Sequence, residues 1–124
     1  MEIKEPILGT LWTIKFKQQD EDEYFEKIGC DGYTDWTTRT IVLMEKPDNC
    51  EIDDYESYLS QNIRHELIHA FLDESGLETN WHHLQEWGHD ETVVDWFAIQ
   101  IPKIETAWKH IIEERKKEND RSKC

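Results

Sequence analysis

Residues 65–69 read His-Glu-Leu-Ile-His, the pattern H-E-x-x-H, and they lie within Tyr55–Ser75, where apolar residues recur at helical spacing. Residues i and i+4 of an α-helix share one face, so His65 and His69 can bind the same metal ion. Glu66 stands about 100° round the helix from His65, beside the ion but not on it. The spacing predicts a zinc site with two histidine ligands and Glu66 as the catalytic general base.

The neighbours of this motif decide whether its helix is buried. A helix rich in His and Glu can also be an ordinary solvated surface. The apolar neighbours here are Ile63, Leu67, Ala70, Phe71 and Leu72. They indicate a core helix with buried histidines, and buried histidines need partners such as a metal.

The composition limits the class of protein. A chain of 124 residues predicts one domain, residues 1–124, with several helices and a small sheet. Its net charge of −14 argues against direct nucleic-acid binding, because such proteins concentrate Lys and Arg. An acidic surface instead favours basic partners, although the same charge also serves solubility.

The cysteines and the N-terminal residues bear on the compartment. Cys30, Cys50 and Cys124 are odd in number and lack C-x-x-C spacing, which favours free thiols in a reducing compartment. Residues 1–6 lack the pattern of a signal peptide, and no stretch approaches membrane-spanning length. We expect a cytoplasmic protein, in the bacterial host cytoplasm if the gene is carried by a phage.

Two strands are predicted before the motif. Trp12, Ile14 and Phe16 alternate with polar residues, which predicts a half-buried strand over Thr10–Lys17. Residues 37–44 predict a second strand, covered on both faces. In zinc-protease folds, a strand before the metal helix often offers its edge to an extended substrate, so we consider that role beside simple core packing.

Helices are predicted from residue 53 onward. Asp53, with Glu56 three residues later, indicates the start of the motif helix, and Gly76 indicates its end. Residues 77–89 have no clear period and predict a loop. Asp90 is expected to cap a second helix that begins at Glu91. We expect Pro102 to kink this helix or to start a new one, and residues 113–124 to fray.

Two histidines leave a catalytic zinc ion short of one protein ligand. Glu91 is the first candidate, because a helix–loop–helix return brings a carboxylate back to the metal. Asp95 shares its face and is then expected to accept a hydrogen bond from a ligating histidine. Three other possibilities remain open: Glu91 as a helix-terminal acid, Asp95 as the ligand, or a histidine as the ligand. The histidines in question are His82, His83 and His89.

The motif together with residues 91–98, Glu-Thr-Val-Val-Asp-Trp-Phe-Ala, resembles the small gluzincin-type zinc peptidases of the ImmA/IrrE kind, common in phages and mobile elements. In that family a second helix carries the ligand Glu, followed by Phe-Ala and an apolar segment that ends near a Pro. The resemblance covers about residues 64–102. The site that it implies comprises His65, His69 and Glu91 on zinc, Glu66 at the water and Asp95 at a position usually Asn or Asp. Val94 replaces the family's small residue, and Pro102 comes earlier than in the family.

The residues and the resemblance together imply a zinc metallopeptidase with an α+β, zincin-like fold, in which a small N-terminal sheet packs on two metal-bearing helices. Zinc would lower the pKa of its bound water to about 7, and Glu66 would take the proton as the water attacks a peptide carbonyl. The resemblance implies a protein substrate such as a basic DNA-binding protein. His82, His83, His89 and Tyr33 are open as stabilisers of the oxyanion.

Two alternative functions also fit the sequence. The first is a non-catalytic acidic interaction protein, such as a phage-encoded inhibitor or DNA mimic, with a structural or relic metal site. Structural zinc sites usually close with four protein ligands that include Cys, and no Cys lies near residues 65–69. The second is a zinc hydrolase that does not cut peptides. A Glu66→Gln change separates catalysis from binding.

Overall fold

The computed structural model describes residues 1–82 and 91–122, apart from the side chains of residues 91, 92, 94, 95, 98 and 122. Its elements in chain order are β1 (Glu2–Ile7), β2 (Thr10–Lys17), a 3-10 helix (Gln19–Glu21), α1 (Tyr24–Ile28), β3 (Gly32–Asp35), β4 (Thr40–Met44), α2 (Tyr55–Ser75), α3 (Leu77–Trp81) and α4 (Glu91–Ser122). All four strands precede the two long helices. The predicted α+β class with an N-terminal sheet is confirmed.

The four strands form one sheet in the order β1-β2-β4-β3. β1 and β2 make an antiparallel hairpin, β2 and β4 are parallel, and β3 lies antiparallel to β4. Leu8 and Gly9 have φ angles of 49° and 86°, the left-handed pair that a two-residue hairpin turn requires. β4 is therefore an interior strand, and β3 is an edge of the sheet.

The two strands predicted from sequence are both present. β2 has the predicted bounds, and β4 begins at Thr40 because residues 36–39 form a turn. The faces of β4 are both covered, as predicted. Ile41 and Leu43 pack into the main core, whereas Val42 and Met44 pack against Phe25 of α1.

α2 begins and ends near its predicted limits. Its N-cap is Asp54, whose carboxylate accepts a 3.0 Å hydrogen bond from the Ser57 N–H. The prediction of Asp53 is wrong by one residue, and the Glu56 carboxylate on which it relied instead accepts a 3.0 Å hydrogen bond from Arg115. Gly76 ends the helix with φ 82°, a conformation that favours glycine, as predicted.

The main core lies between the sheet and the helices α2 and α4. It joins residues from β1 through α4 in one cluster, with Trp12, Leu43, Leu67 and Ile111 all fully or nearly fully buried. α2 contributes one face to this core, comprising Leu59, Ile63, Leu67, Ala70 and Phe71. The opposite face of α2 is left free for other contacts.

The loop predicted after α2 is partly helical. Residues 77–81 form α3, while residues 83–89 and the expected cap Asp90 lie outside the described residues. α4 starts at Glu91 as predicted. It continues through Pro102, so the alternative that a new helix begins there is wrong, and the kink stays a prediction.

α4 also stays helical to Ser122, well past residue 113, where fraying is predicted. Arg115 accounts for the difference: it is 4% exposed and makes a two-pronged ion pair with Glu45 and a further contact with Glu56. The side chain therefore connects the end of α4 to the residue that follows β4 and to the first turn of α2.

The structure also describes two of the three cysteines and the length and polarity of the helices. Cys30 and Cys50 have free thiols, while Cys124 lies outside the described residues. Among residues 1–82 and 91–122, no helix is both long and apolar enough to cross a membrane.

Candidate metal centre

α2 places His65 and His69 one turn apart on the same face, as the i, i+4 spacing predicts. Their Nε2 atoms lie 3.3 Å apart, and their ring centroids are 4.9 Å apart. Both residues are exposed, with 67% of the His65 side chain accessible. The prediction that they are buried is therefore wrong, because most of the apolar residues around the motif, Ile63, Leu67, Ala70 and Phe71, belong to the opposite face of α2.

The two converging nitrogens fit a zinc ion. For Zn–N bonds of about 2.0–2.1 Å, their 3.3 Å separation corresponds to an N–Zn–N angle of roughly 105–110°, close to tetrahedral. Without metal, the same separation lets one neutral imidazole donate an N–H to the other. A metal at this pair would replace that hydrogen bond, and each histidine would then carry its proton on Nδ1.

Glu66 points to a different side of α2 and is only 7% exposed. Its Oε1 atom accepts a 2.9 Å hydrogen bond from the Thr34 hydroxyl, and its Oε2 atom lies 3.9 Å from His65 Nε2. The carboxylate is thus beside the histidine pair and anchored from the opposite side by β3. This is the arrangement expected of a general base that does not itself hold the metal.

The candidates for the third ligand are mostly outside the described part of the chain. They include the side chains of Glu91 and Asp95 and the residues His83 and His89. Among the side chains that the structure describes, no group of three or more His, Cys, Asp or Glu residues is arranged to hold one metal ion.

A cleft of about 510 Å³ surrounds the histidine pair and is bounded by α2, α3 and β3. Asp73, Glu78 and His82 lie on its α-helical side. Burial raises the pKa of the Asp73 carboxyl, and the nearby Glu78 carboxylate raises it further. Of the three histidines considered as a ligand or oxyanion donor, His82 is the one described, and it lies 3.8 Å from Glu78 by its Nε2 atom.

A second cavity, of about 710 Å³, lies along the other part of β3 and shares Tyr33, Thr34 and Trp36 with the first. Asp22, Glu23 and Asp35 add carboxylates to its wall, and the Trp36 side chain is largely exposed. The two cavities adjoin at these shared residues, and together they are called the acidic cleft along the edge strand.

The Tyr33 hydroxyl donates its hydrogen bond to Asp22. Burial raises the pKa of Tyr33 well above its usual value, and the bond to Asp22 contributes to this shift. Tyr33 therefore keeps its proton, but that proton is already directed to a carboxylate. Tyr33 therefore lines the cleft, and its hydroxyl is a poorer candidate for the donor that stabilises the oxyanion.

We predict that Asp22 contributes to stability in a pH-dependent way. The hydrogen bond from Tyr33, aided by Lys17, holds the pKa of Asp22 below its ordinary 3.8. A depressed folded-state pKa stabilises the fold above the unfolded pKa, and this contribution is lost as the pH falls through the lower folded value. Asp22→Asn should unfold at lower urea than wild type at about pH 6, and the gap should narrow at about pH 3. The exposed Asp20→Asn is the control, and an equal gap at both pH values would contradict the assignment.

The strand edge that an extended substrate could pair with belongs to β3 and not to the strand predicted for that role. The strand predicted over residues 37–44 corresponds to β4, which lies between β2 and β3 and has no free edge. β3 is the edge strand next to the histidine pair. Its four residues, Gly32–Asp35, are too few to show an alternating pattern, so the sequence gives only a turn signal at Gly32.

Thr34, Trp36, Asp73 and Glu78 are cleft residues that the motif does not reveal. Asp73 carries the one local signal, since it follows His69 by another four residues and shares its helix face. Thr34 and Trp36 reach the site through the tertiary fold. No spacing within the sequence identifies them.

The fold and the site define an α+β protein with a paired-histidine centre in an acidic cleft beside an edge strand. No family model matches this chain, and no curated protein or solved structure matches it.

Proposed function

We propose that this protein is a zinc-dependent metallopeptidase of zincin-like fold. The observation that carries the proposal is the His65–His69 pair, whose Nε2 atoms are 3.3 Å apart with the buried Glu66 carboxylate beside them. This carboxylate is held by Thr34, with one oxygen on the side of the histidine pair. A carboxylate in that place can act as the general base of a hydrolytic zinc site.

His65 and His69 would hold the ion, with Glu91 as third ligand and Asp95 supporting a ligating histidine. When bound, zinc would polarise the scissile carbonyl and lower the pKa of water. Glu66 Oε2, on the His65 side, would take a proton from the attacking water and pass it to the leaving amine. His82, from the helical wall of the cleft, is available to stabilise developing charge on the carbonyl oxygen.

The edge strand β3 supports a peptide as the substrate. An extended peptide can add to an exposed sheet edge through main-chain hydrogen bonds, with alternate side chains pointing to opposite sides. β3 lies on the wall of the cleft that contains His65 and His69. A peptide paired with β3 would pass directly by the proposed metal.

The charge of the cleft supports a basic substrate. Besides Glu66, the described residues that line its two cavities include five carboxylates and no Lys or Arg. These carboxylates belong to Asp22, Glu23, Asp35, Asp73 and Glu78. With a net charge of −14, the protein would attract basic segments of a protein substrate, for example a DNA-binding protein.

The test is cleavage of a proteome-derived peptide library by the zinc-loaded protein, read by mass spectrometry. We expect new cleavage sites flanked by Lys or Arg, lost when zinc is chelated and restored when zinc is added back. Glu78→Gln and Asp35→Asn should relax the preference for basic residues without removing cleavage. A wild-type protein that holds zinc and cuts nothing would overturn the proposal and favour the acidic interaction protein.

A further inference from the structure

The Thr34 hydroxyl makes two contacts with a single residue of α2. Its Oγ1 atom lies 2.9 Å from Glu66 Oε1 and 3.2 Å from the Glu66 main-chain oxygen. A hydroxyl has one proton to donate, so these two acceptors share it, and the shorter contact is to the carboxylate. The hydroxyl thereby fixes both the backbone and the side chain of Glu66 relative to β3.

The two oxygens of Glu66 are consequently unlike. Oε1 faces the strand and accepts from Thr34, while Oε2 lies on the side of the histidine pair, 3.9 Å from His65 Nε2. Rotation of the carboxylate would break the bond to Thr34. With Glu66 only 7% exposed, few water molecules are available to replace that bond.

The backbone of β3 passes close to β4 and beside Glu66 of α2 near this contact. A Cβ atom at Gly32 would lie 3.1 Å from the Val42 carbonyl oxygen and 3.2 Å from Leu43 Cδ2, both in β4, and 3.6 Å from Glu66 Cγ. Glycine therefore permits the close approach of β3 to β4 two residues before Thr34. The β-branched threonine side chain is itself restricted at χ1, which limits drift of its hydroxyl.

We propose that Thr34 is a positioning residue for Glu66. Its hydroxyl holds Oε1, so that Oε2 is the oxygen that accepts the proton of the attacking water. The inference rests on the proposed peptidase function and assigns to the edge strand a second task besides pairing with substrate. Thr34 acts on the reaction through Glu66 alone.

The experiment compares zinc-loaded Thr34→Val, which keeps the shape but lacks the hydroxyl, with Thr34→Ser, which keeps the hydroxyl. On a peptide that the wild type cleaves, Thr34→Val should lower kcat by about tenfold or more and leave KM and zinc affinity unchanged. Thr34→Ser should restore most of the activity. Thr40→Val is the matched control, because the Thr40 hydroxyl bonds only the Thr38 carbonyl among the contacts described for it.

A second readout does not depend on activity. In metal-free protein labelled with ¹³C at glutamate Cδ, the Glu66 signal is identified by its loss in Glu66→Gln. This signal should move in Thr34→Val and return in Thr34→Ser. If Thr34→Val does not fold, as judged by circular dichroism, Thr34→Ala removes the hydroxyl in its place.

The outcomes separate the two proposals. An active wild type whose Thr34→Val variant has the same kcat, or whose Val and Ser variants are equally impaired, overturns the role of Thr34 and leaves the peptidase function standing. An unmoved Glu66 carboxyl signal overturns it as well. A zinc-loaded wild type that cuts no peptide overturns both proposals together.

Discussion

Replacing Glu66 with Gln is expected to lower kcat for peptide cleavage by about 10²- to 10⁴-fold, the contribution typical of a positioned general base. Gln cannot accept the proton of the attacking water. Its amide oxygen can still accept the hydrogen bond from Thr34 that Glu66 Oε1 accepts at 2.9 Å. The variant should therefore keep the fold and its zinc.

The measurement is kcat together with zinc content and the thermal unfolding midpoint. Glu113→Gln is the control, because Glu113 is an exposed glutamate of α4 that lines neither cavity of the cleft. The control should keep kcat within a few fold of wild type. Full activity in Glu66→Gln would exclude Glu66 as the base, and zinc loss in that variant would make it a ligand instead.

Replacing Arg115 with Ala is expected to lower the free energy of unfolding by about 3 kcal/mol, the lower end of the cost of breaking a buried ion pair. The Arg115 side chain is 5% exposed and bonds both Glu45 carboxylate oxygens, at 2.6 and 2.8 Å. It also stacks 4.9 Å from the Phe16 ring centroid. We expect the lower end because the Glu56 side chain is 69% exposed and regains water once Arg115 is removed.

Urea denaturation followed by circular dichroism measures this loss. Lys116→Ala is the control, since Lys116 is an exposed neighbour on the same helix and should change the midpoint little. An Arg115→Ala midpoint equal to that of the control would mean that the end of α4 frays, as the sequence alone predicts.

The parts of the fold that follow from local pattern were predictable. β2 alternates apolar and polar residues, β4 is a continuous apolar run, and α2 combines helical spacing with a terminal glycine at Gly76. Each pattern is contained in one segment of the sequence. The structure of such segments can be predicted from the local sequence without knowledge of the tertiary fold.

The elements that sequence analysis missed depend on distant partners. β1 places Glu5 on its inward face, where the carboxylate contacts His110 of α4, and this charge obscures the alternation of Ile3 and Ile7. β3 has four residues and gains its partners from β4. The ion pair of Arg115 joins residues far apart in sequence. It holds the charged end of α4, which sequence analysis predicts to fray, against the rest of the protein.

In the site too, local spacing predicts some of the residues and the tertiary fold alone reveals the others. His65, Glu66 and His69 were placed together by helical spacing, and the structure brings them together. Thr34 is separated from Glu66 by about half of α2 and all of β4, so only the fold reveals their hydrogen bond. The predicted burial of the histidines failed because apolar neighbours in sequence lie on the opposite helix face.

The most direct test of the metal centre is the zinc content of purified protein by elemental analysis, for wild type, His69→Ala, Glu91→Ala and Asp95→Ala. The proposed metal centre predicts one zinc equivalent in wild type, none in His69→Ala, weakened binding in Glu91→Ala and a smaller effect in Asp95→Ala. Wild-type protein without zinc under every loading condition would contradict it, and the His65–His69 pair would then be a hydrogen-bonded pair on an acidic interaction protein.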